Sequence, residues 1–313
     1  MGSLRTSALA RALRWVILLV AFASRPADAQ QLGYKLLGSL GIDAGTQPPP
    51  GLAFVDQSIH FGSSQLLDRQ GNVVPIDGLR IAAWGSALGV SYTTKTRAAP
   101  FLTFALGVPV ASIHVSTDDP AASLNGFGFA DVVVQPIKVG WRQRRLDLVT
   151  GYAAYVPTGH FEPRGGANLG QGHWTHQLSV GGAVRDSAQT FRASALASYE
   201  MNARNRGIDV RRGNMLQLQG GAGATVRRIF TIGLAGYALW QVTPDRGTDI
   251  PPALRGQRSR AFGLGPEVDA TIPPWKTHVA LRVEHEFGVR SRPRGQVIAL
   301  SVSYIAGSRT PTR

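Results

Sequence analysis

Residues 146–156 alternate strictly. One parity holds Leu146, Leu148, Thr150, Tyr152, Ala154 and Val156, and the other Asp147, Val149, Gly151, Ala153 and Tyr155. The first set is bulkier and greasier, the second smaller and more polar. A period of two belongs to a β-strand, whose side chains point to opposite faces in turn. An extended apolar stretch, 127–140, precedes it across the charged link Trp141-Arg-Gln-Arg-Arg145. Strands of about a dozen residues exceed the usual five or six of soluble sheets and suit the wall of a transmembrane barrel.

The pattern predicts twelve strands: 51–61, 78–94, 100–114, 127–140, 146–156, 173–184, 190–201, 215–226, 229–243, 258–271, 277–287 and 295–305. The second is long enough to hide a bulge near Gly85. Links 95–99, 141–145, 185–189, 227–228 and 272–276 are short. Links 62–76, 115–126, 157–172, 202–214 and 244–257 are longer, and 288–294 breaks the alternation. Tight periplasmic turns alternating with long outer loops mark an outer-membrane meander. The predicted fold is therefore all-β, a transmembrane antiparallel up-and-down β-barrel of about twelve strands.

Within the strands, Phe191, Ala193, Ala195, Ala197 and Tyr199 oppose Arg192, Ser194, Ser198 and Glu200. Val279, Leu281, Val283 and Phe287 oppose His278, Arg282, Glu284 and Glu286, and Ile298, Leu300, Val302 and Tyr304 oppose Ala299, Ser301 and Ser303. Tyr152, Trp174, Tyr199, Trp240 and Tyr304 sit near strand ends, where aromatic girdles belong.

At the N-terminus, Arg5, Arg11 and Arg14 precede a short apolar core and Ala27-Asp28-Ala29, the layout of a cleaved signal peptide over residues 1–29. The apolar core stops at Ser24-Arg25-Pro26, too short for a membrane-spanning helix. No other apolar run is long enough, so a membrane location requires a closed barrel. Residues 30–50 read as a periplasmic tail or a lumen plug, the tail being preferred, and a short basic tail follows residue 305. The expected location is the outer membrane of a Gram-negative cell.

The chain has no cysteine, which excludes a disulfide framework and thiolate sites. Its formal charge is +14. Nucleic acid is not the expected partner, given the export signal and the lack of any recognition motif. Arginine-rich loops near anionic head groups of membrane lipid and lipopolysaccharide account better for the charge, with a basic pore for anions as a second reading.

The segment Gly128-Phe129-Ala130-Asp131, followed by Pro136 and Trp141, resembles the signature strand of the outer-membrane family "MetA-pathway of phenol degradation". So do Val156-Pro-Thr-Gly159, Asn168-Leu-Gly-Gln-Gly-His-Trp174, Asn202 to Asn205, the stretch 233–241 and Leu264-Gly-Pro266. The resemblance implies a channel-like barrel, inserted by the barrel-assembly machinery, that takes up aromatic or otherwise hydrophobic small molecules.

Asp131 is a candidate for binding solute in the lumen or for a structural hydrogen bond. Arg192, Glu200, Glu267, Asp269, Arg282, Glu284 and Glu286 have lumen parity, with Glu267 expected diagonal to Arg282. They form either an internal ion-pair ladder or a selectivity element. His160, His173 and His176 are spaced too loosely for a metal site, and no cofactor is expected. Catalysis is not expected: no Gly-x-Ser-x-Gly occurs, and His176 and Ser179 differ in parity. The rival to a channel is a non-transporting structural or surface-interaction barrel.

Overall fold

The structure, a computed structural model, describes residues 37–94, 100–163 and 165–306. The expected signal segment and most of the basic C-terminal tail lie outside the described residues.

Twelve strands form the barrel, and the short strand Val73–Val74 pairs with Leu66 and Leu67 at its rim. The twelve are β1 Gly51–Leu67, β2 Arg80–Thr93, β3 Phe101–Ser116, β4 in two pieces (Leu124–Phe129 and Val132–Arg142) and β5 Leu146–Val156. Then come β6 Thr175–Arg185, β7 Phe191–Asn202, β8 Met215–Val226, β9 Phe230–Gln241, β10 Arg260–Ile272, β11 Thr277–Arg290 and β12 Arg292–Ala306. Each pairs antiparallel with the next. β12 returns to β1, from Leu52↔Ala306 to Leu67↔Arg292, and closes the barrel. Closure pairs β1 with β12, while the first piece of β4, Leu124–Phe129, pairs only with β3 among the described strands.

The alternation sorts the wall into two faces. On β5, Asp147, Val149, Ala153 and Tyr155 are buried inward, while Leu148 is exposed outward. Leu88, Val180, Ile232, Leu234 and Leu300 continue the exposed apolar band. One carboxylate, Asp56, interrupts it, and the hydroxyls of Ser58 and Ser86 donate to that carboxylate.

Short turns gather at one end. Arg227 and Arg228 have φ of 52° and 58° in the three-residue link 227–229, where Ile229 N–H donates to Val226 O, so the turn has a primed backbone without the usual Asn-Gly. Lys276 adopts φ 51° in the turn after Pro273-Pro274.

Gly85 pairs with Ile59 on one side and Ala111 on the other without a shift, so the bulge expected there is absent. The irregularities lie at Ser63/Gln65, Thr103/Ala105, Val134/Ile137 and Arg260/Phe262. Pro136, which has no N–H for the ladder, sits inside the third. β4 is broken at Ala130–Asp131. The expected 288–294 link shrinks to a turn at Ser291 (φ 53°), because β11 and β12 extend toward each other.

Residues 37–50 run inside the barrel. Leu37 packs with Ile59, Phe61, Met215, Leu239 and Val297, and the segment runs on to enter β1 at the short-turn end.

Candidate functional site

The lumen has two unlike walls; residues 38–45 lie against one of them, and residues 46 and 47 reach the other near the short-turn end. A chain outside any sheet must find partners for its N–H and C=O groups once buried. Here the wall's side chains supply them. Ile42 N–H donates to Glu267 Oε2 (2.9 Å), and Leu40 N–H to Gln219 Oε1 (3.2 Å). Arg282 Nη1 donates to the carbonyls of Ser39 (2.6 Å) and Gly38 (3.0 Å). Ser194 Oγ donates to Ile42 O (2.7 Å), Lys138 Nζ to Thr46 O (2.9 Å), and Gln47 Nε2 to Thr103 Oγ1 (2.8 Å).

Close approach depends on glycine. A Cβ on Gly41 would stand 1.7 Å from Glu267 Oε2, and one on Gly45 would stand 2.1 Å from the carbonyl oxygen of Gly182. At Gly45 a larger residue would meet backbone and lift the segment off the wall, whereas at Gly41 it would displace the Glu267 carboxylate that holds Ile42 N–H.

Glu267 and Arg282 are directly opposite across β10 and β11, not diagonal, at 3.5 Å. Arg192 pairs with Asp269 and, at 3.3 Å, with Asp43 of the inner segment. His278 Nε2 lies 3.5 Å from Asp269 and 3.6 Å from Asp43. Glu200 accepts from Gln177 Nε2 (2.8 Å) and Gln217 Nε2 (3.0 Å). Glu286 accepts from Tyr237 Oη (2.9 Å) and Gly295 N–H (2.9 Å), and pairs with Arg292 at 3.5 Å. Glu284 is fully buried beside Gly38, and neither of its carboxylate oxygens has a hydrogen-bond partner among the described residues.

Asp131 serves the loop that follows β5. Its carboxylate accepts from Gly159 N–H (2.9 Å) and Gln171 N–H (2.7 Å). The three loop histidines diverge. His160 is exposed 3.4 Å from Glu162, His173 is buried, and His176 faces outward under the Tyr152 hydroxyl (2.7 Å). Burial holds the His173 imidazole below the ordinary histidine pKa. Of the strand-end aromatics, Tyr199 Oη accepts from Asn214, Trp240 meets the ring of Phe262, and Trp174 and Tyr304 are exposed.

Sequence reasoning missed Asp147. Fully buried at the short-turn mouth, it pairs with Arg185 (2.6 Å) and lies 3.6 Å from Arg142. Arg142 also donates to Gln47 O. The signal was present, since Asp147 shares the small, polar parity of β5. Gln217 and Gln219 carried only their parity on β8.

The opposite wall, β1–β4, is built mainly of small and apolar residues, with Thr103, Lys138 and Arg142 holding residues 46 and 47 near the short-turn end. A cavity of about 800 Å3 lies between it and the inner segment. Ala53, Val55, Ile59, Ala87, Gly107 and Val133 are among its lining.

Residues 63–302 match the family described as "Putative MetA-pathway of phenol degradation". The chain belongs to this family. No curated protein matches it. Among solved structures it is similar to an outer membrane channel from Pseudomonas putida F1, with TM-score 0.73 and 12% identity, over 84% of this chain and 98% of that one. It is also similar to the translocator domain of the autotransporter NalP from Neisseria meningitidis, with TM-score 0.50 and 11% identity, over 84% and 91%. At such identities the likeness establishes the barrel fold, and the family match spans the strands from β1 to β12.

Proposed function

We propose that this chain is an outer-membrane channel for passive uptake of small apolar or aromatic molecules. The observation that carries this reading is the cavity along β1–β4. Along β1–β4 most of its lining is apolar and small, while its other side is bounded by the inner segment and by Arg192, Glu267, Arg282 and Glu286. A solute in the lumen meets alanine, glycine and valine along one side, and on the other the inner segment and the charged groups that fasten it. Concave, mostly apolar sites with few polar groups suit such ligands. The family's description supports the same reading, as does the similar Pseudomonas protein's being an outer membrane channel.

Export by a signal over residues 1–29, insertion by the barrel-assembly machinery, short turns facing the periplasm and lipopolysaccharide around the loop end belong to this reading. The lumen charges act first as plug anchors, and solute selection falls to the opposite wall.

The test is reconstitution. Liposomes carrying the mature chain should take up phenol faster than empty ones. A variant lacking residues 30–50 should pass larger solutes and conduct more current in a planar bilayer. A lumen closed to phenol in both forms would favour the rival, a structural barrel whose loops do the work.

A further inference from the structure

At the long-loop end, one side of the outer face carries aromatic rings capped by arginines. Trp240 of β9 meets Phe262 of β10 edge-on, with centroids 5.5 Å apart, and Phe262 meets Phe287 of β11 at 5.7 Å. The Arg260 guanidinium lies over the Phe262 ring, 5.3 Å from its centroid, and its Nε donates to Gly288 O (3.0 Å). The bulge in β11 sets Arg290 directly opposite Arg260. Arg294, exposed on the outward parity of β12, donates to Gln65 Oε1 (3.1 Å).

Like charges directly opposite on neighbouring strands repel. Among the described residues, no carboxylate lies within 4.0 Å of any of these three guanidiniums. Other arginines of the same end are paired: Arg204 with Asp209 (3.2 Å), Arg212 with Asp245 (2.8 Å) and Arg292 with Glu286 (3.5 Å). The outward trio thus offers a cluster of N–H donors and positive charge with no counter-charge of its own. Rings and guanidiniums side by side at the loop ends of these strands, with Trp240 directly opposite Arg260, match the level where acyl chains meet head groups. Guanidinium forks bind phosphate through paired, charge-assisted hydrogen bonds.

We propose that Arg260, Arg290 and Arg294 bind the phosphate groups of an outer-leaflet lipid of the lipid A type. Its acyl chains would lie along Trp240, Phe262 and Phe287. The proposal rests on the outer-membrane reading, with the long loops outside, and assigns a fixed lipid to one side of the barrel. The phosphate neutralises the Arg260–Arg290 pair, so lipid and barrel stabilise each other.

The experiment uses the full mature chain in detergent. Native mass spectrometry measures binding of bisphosphorylated lipid A, of the same lipid stripped of phosphate, and of inorganic phosphate. The phosphorylated lipid should bind at least about tenfold more tightly than the stripped one. The variant Arg260→Gln/Arg290→Gln/Arg294→Gln should lose that preference. Arg227→Gln/Arg228→Gln, at the opposite end, should keep it. Heat-modifiable gel mobility shows which variants are folded, and Arg290→Gln alone replaces the triple variant if that fails to fold. Equal binding of both lipids, an unchanged preference in a folded variant, or inorganic phosphate binding as tightly at the same arginines would overturn the proposal. Conductance is read on the same samples. A conducting barrel without phosphate preference sinks this proposal alone, whereas a non-conducting one that prefers the phosphorylated lipid sinks only the channel reading.

Discussion

Arg282 and Glu267 face each other across β10 and β11, 3.5 Å apart, and each reaches past the other to the backbone of residues 38–42. The pair is therefore a clamp on the inner segment as well as a link between strands. Its energetic weight comes from what would be stranded without it: two carbonyls, one N–H and a buried charge.

Arg282→Ala removes one half of the clamp. It leaves Glu267 charged and buried, a loss of about 3–5 kcal/mol for a broken buried pair. The inner segment should spend more time undocked. Single-channel recordings should show higher mean conductance, with switching between two levels. Arg282→Lys should lie between the two, because one ammonium cannot reproduce the fork. An unchanged conductance would confine Arg282 to holding the wall together.

Glu284 shares a face with Arg282 yet differs in kind. Both its oxygens are buried without a hydrogen-bond partner among the described residues. An unmade bond to a buried polar group costs about 1–3 kcal/mol, and more for a charged one. Glu284→Leu should therefore leave stability equal or raise it, whereas Glu267→Leu should lower it by leaving Arg282 and Ile42 N–H unpaired. Thermal unfolding in detergent, read by gel mobility, separates the two.

Gly107 offers a way to narrow the apolar path without disturbing the clamp. An added Cβ there would meet only Val133 Cβ, at 3.9 Å, and Gly107 lines the cavity. Gly107→Phe should cut phenol uptake several-fold. Stability should hold or rise by about 0.5–1 kcal/mol, since glycine inside a strand is costly. Uptake equal to wild type would place the solute path elsewhere.

Buried His173 adds a pH dependence at the loop end. Its Nδ1–H donates to Gln171 O (2.9 Å), beside the two N–H groups held by Asp131. Burial lowers its pKa, so the folded loop favours the neutral ring. Its contribution is fully present above the unfolded value of about 6.5 and is lost as pH falls through the lower folded value. Amide exchange at Gly159 and Gln171 should speed up on acidification below about pH 6 in the wild type. His173→Gln should flatten that response.

Much of the wall was legible because period two is a strong signal. The ends of β5 and β8 agree to the residue, and the inward parity of Arg192, Glu200, Glu267, Arg282 and Glu286 was readable from their neighbours. The register between β10 and β11 was off by a step because it depends on the turn through Pro273-Pro274, whose geometry the alternation does not encode. What the lumen charges hold was not legible. Residues 34–42 carry only a weak helical amphipathicity and are followed by Pro48-Pro49-Pro50, which reads more readily as a tail than as a plug. Only long-range partners, such as Ile42 with Glu267, reveal that Gly41 is a contact.

The seam between β1 and β12 imposes an order of events. The inner segment leads straight into β1, and β1 is one lip of the seam. While that seam is open, the segment can swing sideways onto the charged wall. Once β12 has zipped onto β1, the only remaining route is endwise, through a mouth already narrowed by Asp147 and its arginines. Docking of residues 37–50 before the seam closes is therefore the expected order, and a lumen emptied by chemical denaturant should refill slowly.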